Sequence, residues 1–143
     1  RSALPYLTSD PVLVLNGDSF LAADLRAFWH WHNERKAQAS MLLTQVEESG
    51  RYGTVTVNEQ AQVVEFAEKA KEGGPNWING GVYLLSRSVV LSICDNVKSS
   101  LEYDVFSRLV GRGLYGRITD AGFFDIGTPE DYAAAVAFFK LMS

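Results

Sequence analysis

The chain has a single cysteine, Cys94, so no disulfide within it can staple the fold. Cys94 closes an apolar run that starts at Val89, the setting of a small buried thiol, and it fits a reducing, cytoplasmic compartment. No stretch comes near the roughly 18 apolar residues of a membrane span. The first ten residues lack the charged, apolar and small-residue zones of a secretion signal. A basic stripe is missing too: 13 Lys and Arg stand against 17 Asp and Glu, a net charge of −4, with the cations scattered. Neither nucleic acid nor a membrane is therefore expected as a partner. Repeats, low-complexity tracts and linkers are also lacking. What is present is a composition 47% hydrophobic, 12% aromatic and 21% charged over 143 residues, enough apolar surface for one domain, 1–143, with a sizeable core.

Hydrophobic patterning organises that domain. Pro11-Val12-Leu13-Val14-Leu15 is a continuous apolar run stopped by Asn16-Gly17-Asp18, which reads as a strand buried on both faces, of the kind found in parallel sheets. Leu21, Leu25, Phe28, Trp29 and His32 fall at helical spacing, with Asp24 as N-cap and Arg35-Lys36 at the C-terminal end. Ser40 to Val46 is a second buried strand, giving a β-α-β opening. Tyr52–Val57 and Val63–Phe66, separated by a polar turn, predict an antiparallel hairpin at an edge. Trp77–Leu85 is a strand interrupted by Gly80-Gly81. Ser86 or Ser88 can cap a short helix running to Cys94, and Ser99-x-x-Glu102 is a capping box for another running to about Val110. A last strand lies within Ile118–Ile126. Thr128-Pro129-Glu130-Asp131 then opens a C-terminal helix to about Leu141.

Several motifs point away from function. Gly111-x-Gly113-x-x-Gly116 matches the dinucleotide fingerprint as text, but it follows a helix rather than a strand, so it reads as a glycine-rich cap and turn. His30 and His32 are two apart on a helix and diverge, unlike a metal pair. Phe28, Trp29 and Trp31 lack the interleaved cations of a stacking platform and read as packing.

Two carboxylates are different. Asp18 sits just past a strand end, where open α/β sheets gather ligands; it is either a magnesium ligand or an Asx-turn residue. Asp125 lies inside the apolar strand Phe123–Ile126, where an unpaired charge is costly, so a cation or a donor is expected beside it. Two carboxylates plus substrate phosphates and water are a usual way to hold magnesium. Lys69, next to Glu68, either grips a phosphate or is a solvated surface lysine. Asn79-Gly80-Gly81 either lets sugar hydroxyls reach the backbone or is a simple bulge.

Six segments in order then resemble the sugar-phosphate nucleotidyltransferases: Val14–Asp18, Arg51–Val55, Val64–Lys69, Ile78–Leu85, Ser100–Phe106 and Phe124–Tyr132. The wording Arg51-Tyr52-Gly53-Thr54-Val55, Ile78-Asn79-Gly80-Gly81 and Asp125-Ile126-Gly127-Thr128-Pro129-Glu130-Asp131-Tyr132 is most similar to guanylyltransferases acting on D-glycero-D-manno-heptose 1-phosphate or mannose 1-phosphate. The resemblance implies the C-terminal part of a Rossmann-like α/β domain, a mixed but mostly parallel sheet with flanking helices and an edge hairpin. It implies transfer of a nucleotidyl group from a nucleoside triphosphate, GTP by this wording, to a sugar 1-phosphate with release of pyrophosphate. It also implies roles: Asp18 and Asp125 sharing Mg2+, Lys69 on the sugar phosphate, Glu68 and Asn79 on sugar hydroxyls, and Gly53 and Gly80 giving the ring close access.

The sequence departs from the family pattern at its start. The strand, glycine-rich loop and Lys-Pro pair that bind the triphosphate are not in it, and Arg1–Pro5 resembles the tail of the helix before the Asn-Gly-Asp strand. The expectation is a sugar-phosphate- and metal-binding part without the N-terminal nucleotide-binding segment, with little or no turnover alone. The strand at Val12–Leu15 would then self-associate or pair with a separately supplied first half. The alternative is a non-catalytic sugar-phosphate-binding or regulatory subunit. A glycosyltransferase usually shows Asp-x-Asp, and Asn16-Gly17-Asp18 supplies one acid only.

Overall fold

The computed structural model describes residues 3–46, 52–67, 77–93 and 99–141. Strands β1 (Val12–Leu15), β3 (Ala39–Thr44), β4 (Thr54–Val57), β5 (Val63–Ala67), β6 (Trp77–Leu85) and β7 (Leu114–Ile118) form one six-stranded mixed sheet. Its path is β5-β4-β6-β3-β7, and β1 also pairs with β6. One side of β6 is shared, with β4 at Trp77 and Ile78 and β1 at Val82–Leu85. A separate two-stranded ribbon joins β2 (Ser19–Leu21) to β8 (Phe123–Asp125).

Alternation splits the long apolar runs between two cores. Met41, Leu43, Tyr83 and Leu85 face one way, with Val55, Val63, Val105 and Phe106. Leu42, Val82 and Leu84 face the other, with Phe28 and Leu21. Helix α1 (Leu25–Glu34) lies over this second face, and Asp24 caps it by accepting from Ala27 N at 2.9 Å. His32 is buried on α1, with Nδ1 2.8 Å from the buried Ser40 Oγ, while His30 is exposed. Both cores therefore need the doubly apolar strands that the sequence supplies at β3 and β6.

The α/β class, the mixed sheet, the flanking helices and the edge hairpin β4–β5 are as the sequence predicts. The pairing balance is not: among the described strands β3–β7 is parallel, and the other pairs are antiparallel. Nor is β1 buried on both faces. Leu13 is 38% and Leu15 55% exposed, because β6 is its one strand neighbour among the described residues. Leu21 belongs to β2 instead of the α1 stripe, since the Asn16-Gly17-Asp18 bend feeds a strand directly. The glycine-rich turn stops at Gly113, and Leu114 to Gly116 enter β7.

Helix α2 (Arg87–Ser92) is capped by Ser86, whose hydroxyl accepts from Val89 N at 3.4 Å; Cys94 lies outside the described residues. The next helix starts one residue later than predicted. Ser100 accepts from Tyr103 N at 3.3 Å, and Asp104 Oδ2 accepts from Ser100 N at 2.7 Å. The reciprocal cap thus uses Ser100 and Asp104, leaving Glu102 out of it. The helix opens with a π-helical turn, Leu101–Phe106, which runs into α3 (Ser107–Leu109). Helix α4 (Pro129–Leu141) is capped by Thr128, which accepts from Asp131 N at 3.1 Å.

Candidate active site

A cleft of about 800 Å³ opens where β1 ends, lined among others by Asn16, Asp18, Ser19, Tyr52, Gly53, Asn79, Glu102 and Asp125. Strand pairing brings its two aspartates together. Ser19 is paired with Asp125 in the ribbon, and Ile126 N donates to Asp18 O at 2.7 Å, extending the ladder one step. Asp18 is exposed and Asp125 half-buried. The donor that the sequence demands beside Asp125 is Tyr52, whose hydroxyl donates to Oδ2 at 3.0 Å. The Tyr52 ring stands edge-on to Phe123, with centroids 5.9 Å apart.

The β6 wall is built on Asn79. Its Nδ2 donates to Tyr83 OH at 2.7 Å and to Glu102 Oε1 at 2.8 Å, and its Oδ1 accepts from Gly81 N at 3.1 Å. Tyr83 is 1% exposed, and burial pushes its phenol up to about 12. The Asn79 amide opposes that rise, the Glu102 charge adds to it, the Asn16 amide opposes it and the Asp18 charge adds to it. The phenol therefore stays neutral at any physiological pH, a fixed hydrogen-bonding post linking Asn16 with Asn79.

Gly81 is in the left-handed region at φ 73°, and a Cβ there would run into Ser19 Oγ. The β3–β6 register slips between Met41 and Leu43 opposite this segment, so the glycines mark a bulge. Ser19 Oγ itself is buried without a hydrogen-bond partner among the described residues.

The predicted residues Asp18, Asp125, Gly53 and Asn79 all line this one cleft. Gly80 does not: it is buried one step away, where a Cβ would lie 2.9 Å from Leu21 Cδ2. Glu68, Lys69 and Arg51 lie outside the described residues. Sequence reasoning missed Tyr52, Tyr83 and Glu102 as site residues, although each falls within one of the six family-like segments. Glu102 was hidden by its apparent capping duty.

No three His, Cys, Asp or Glu side chains cluster among the described residues in a way that could hold a metal. Two neighbouring carboxylates, one exposed, fit a magnesium ion that keeps waters and takes its other ligands from substrate phosphates, and do not fit an all-protein cage. No helix of the described residues is long and apolar enough to cross a membrane.

Known proteins are similar to this chain in sequence and fold. D-glycero-alpha-D-manno-heptose 1-phosphate guanylyltransferase of Aneurinibacillus thermoaerophilus is 35% identical over 136 residues, 94% of this chain and 58% of its own length. Mannose-1-phosphate guanylyltransferase of Mycobacterium tuberculosis is 32% identical over 92% of this chain and 37% of its own length. The crystal structure of HddC from Yersinia pseudotuberculosis superposes with a TM-score of 0.77 at 27% identity, covering 96% of this chain and 59% of that one. HddC has also been solved complexed with GMP-PN. The chain thus spans well under two thirds of the length of each of these relatives. With residues 3–140 matching the nucleotidyl transferase family, the chain belongs to that family.

Proposed function

We propose that this chain carries the sugar-phosphate- and metal-binding part of a sugar-1-phosphate nucleotidyltransferase, with GTP as donor and mannose or heptose 1-phosphate as acceptor. The observation that carries the reading is the delivery of Asp18 and Asp125 to one cleft by paired strands, in a chain whose relatives are guanylyltransferases of those two sugar phosphates. In the reaction a phosphate oxygen of the sugar 1-phosphate bonds to the α-phosphorus of the triphosphate. The bond from that phosphorus to the α,β-bridging oxygen breaks, and pyrophosphate leaves. No side-chain nucleophile is needed, so positioning and charge neutralisation supply the rate.

Asp18 and Asp125 would hold Mg2+, which when bound neutralises charge developing on the phosphates. Tyr52 orients the Asp125 carboxylate. Gly53 leaves the cleft wall open to the ring, and Asn79 and Glu68 belong to the sugar side of this reading. Lys69 supplies the cation for the sugar phosphate. A cytoplasmic setting, where nucleoside triphosphates are abundant, goes with it.

A second reading is a sugar-phosphate-binding or regulatory subunit without turnover, which would use the same cleft. Either version includes a partner for β1. Its edge exposes Leu13 and Leu15 beside an apolar groove of about 510 Å³ that includes Leu4 and Leu7, a surface for a second copy or for a nucleotide-binding segment.

The test is pyrophosphate release with Mg2+, each of the four nucleoside triphosphates and mannose or heptose 1-phosphate, beside Asp18→Asn and Asp125→Asn. Release with GTP that both variants abolish supports catalysis. Binding of the sugar 1-phosphate without release supports the subunit reading, and neither binding nor release refutes both.

A further inference from the structure

We propose that Glu102 is the residue that reads the hydroxyls of the sugar ring, and that Asn79 acts as its positioning residue. The inference rests on the cleft's being a sugar 1-phosphate site, and it adds a specificity-determining group that the sequence motifs leave in a structural role.

The argument begins with what Asn79 has left to offer. The Gly81 N–H at 3.1 Å can only donate, so it fixes the amide orientation: Oδ1 faces Gly81 and Nδ2 faces the other way. Both Nδ2 hydrogens are then committed, one to Tyr83 OH and one to Glu102 Oε1. Tyr83 is buried and cannot turn aside. Asn79 keeps one carbonyl lone pair, too little to discriminate among several ring hydroxyls.

Glu102 is in the opposite condition. Its side chain is exposed on the cleft wall, and its one hydrogen bond among the described residues is the bond from Asn79. A carboxylate offers about four acceptor sites, so most remain open. Vicinal hydroxyls of a sugar are a matched pair of donors for them, and hydrogen bonds to an ionised acceptor are about twice as strong as neutral ones. The same charge repels a phosphate, so Glu102 sorts the uncharged end of a sugar phosphate from its charged end.

Local structure frees Glu102 for this. Asp104 has taken the capping duty at Ser100 N. The turn is π-helical, with Ser107 N–H reaching back to Glu102 O, a widened geometry that recurs at functional sites.

The experiment titrates the full chain with mannose 1-phosphate and its monodeoxy analogues, using wild type, Glu102→Gln and Glu102→Ala. Wild type should bind mannose 1-phosphate about tenfold or more tightly than the analogue lacking a hydroxyl that Glu102 reads. Glu102→Ala should bind the two alike, and Glu102→Gln should fall between. Unchanged affinities, or an equal factor lost for every ligand, overturn the inference while leaving the sugar-phosphate reading intact. Failure of wild type to bind mannose 1-phosphate at all removes the reading on which the inference rests and the inference with it.

Discussion

Replacing Gly81 by alanine tests how the β6 wall is held. Gly81 has φ 73°, where an L-residue costs about 1–2 kcal/mol. Its Cβ would run into Ser19 Oγ and approach both Cβ and Nδ2 of Asn16 at 3.1 Å, and such overpacking costs typically about 1–3 kcal/mol. The backbone cannot swing away, because Gly81 N donates to Asn79 Oδ1 and Gly81 O accepts from Asn16 N at 2.8 Å. Together the terms give about 2–5 kcal/mol. With about 2.1 cal/mol/K of unfolding entropy per residue, the melting temperature of a chain this size should fall by about 7–17 °C. Gly17→Ala is the internal control, since nothing lies within 4 Å of a Cβ there. Thermal melts for that shift, with urea unfolding for the free energy, of the three proteins side by side are the assay. If Gly81→Ala loses no more than Gly17→Ala, the left-handed bulge and its contacts with Ser19 and Asn16 are not what shapes this wall.

Three further outcomes follow from the same contacts. Tyr52→Phe keeps the ring against Phe123 but removes the donor to Asp125; urea unfolding should show about 1 kcal/mol lost, and a loss under about 0.3 kcal/mol would count against the bond. His32 is held below its usual 6.5 by burial, with the Asp10 charge opposing. Its neutral form is therefore favoured in the fold: stability is full above pH 6.5 and falls as the pH drops through the lowered value, where the unfolded chain binds the proton first. His32→Leu should flatten that part of the stability–pH curve, and an unchanged slope would refute the assignment. Ser100→Ala should cost about 1 kcal/mol as a lost cap, whereas Glu102→Gln should stay within about 0.5 kcal/mol; thermal melts that reverse this order would return the capping role to Glu102.

The sequence made β3, β6, the hairpin and the helix caps at Asp24 and Thr128 legible, because each is a local pattern whose partner lies within a few residues. Pairing direction was not, since an apolar run such as Val12–Leu15 says that a strand is buried without saying by what. Nor was the β2–β8 ribbon, whose strands of three residues are too short to show a period. The cap at Ser100 slipped by one because Ser99 and Ser100, with Glu102 and Asp104, offer two overlapping versions of the same signal. Within the site, Asp18 and Asp125 stood out as acids at or inside apolar strands. That they meet depends on a pairing between residues more than a hundred positions apart, which no local pattern encodes. Nothing in the strand pattern of Trp77–Leu85 marks Tyr83 as a site residue, because its role lies in a hydroxyl placed between Asn16 and Asn79.

The ribbon that carries the two aspartates belongs to a different sheet from the strand that carries Asn79. Asp125 faces Ser19 on one antiparallel rung and Asp18 bonds to Ile126 on the next, so the placement of the two aspartates is an attribute of adjoining rungs of one ribbon and survives any tilt of the ribbon as a body. The hydroxyl-facing wall, drawn from β6 and the π-helical turn, sits on separate backbone. Under the proposed function, acceptor preference and phosphate chemistry would accordingly diverge independently: substitutions around Asn79 and Glu102 would retune which sugar is admitted, while the adjoining rungs that carry Asp18 and Asp125 keep their spacing.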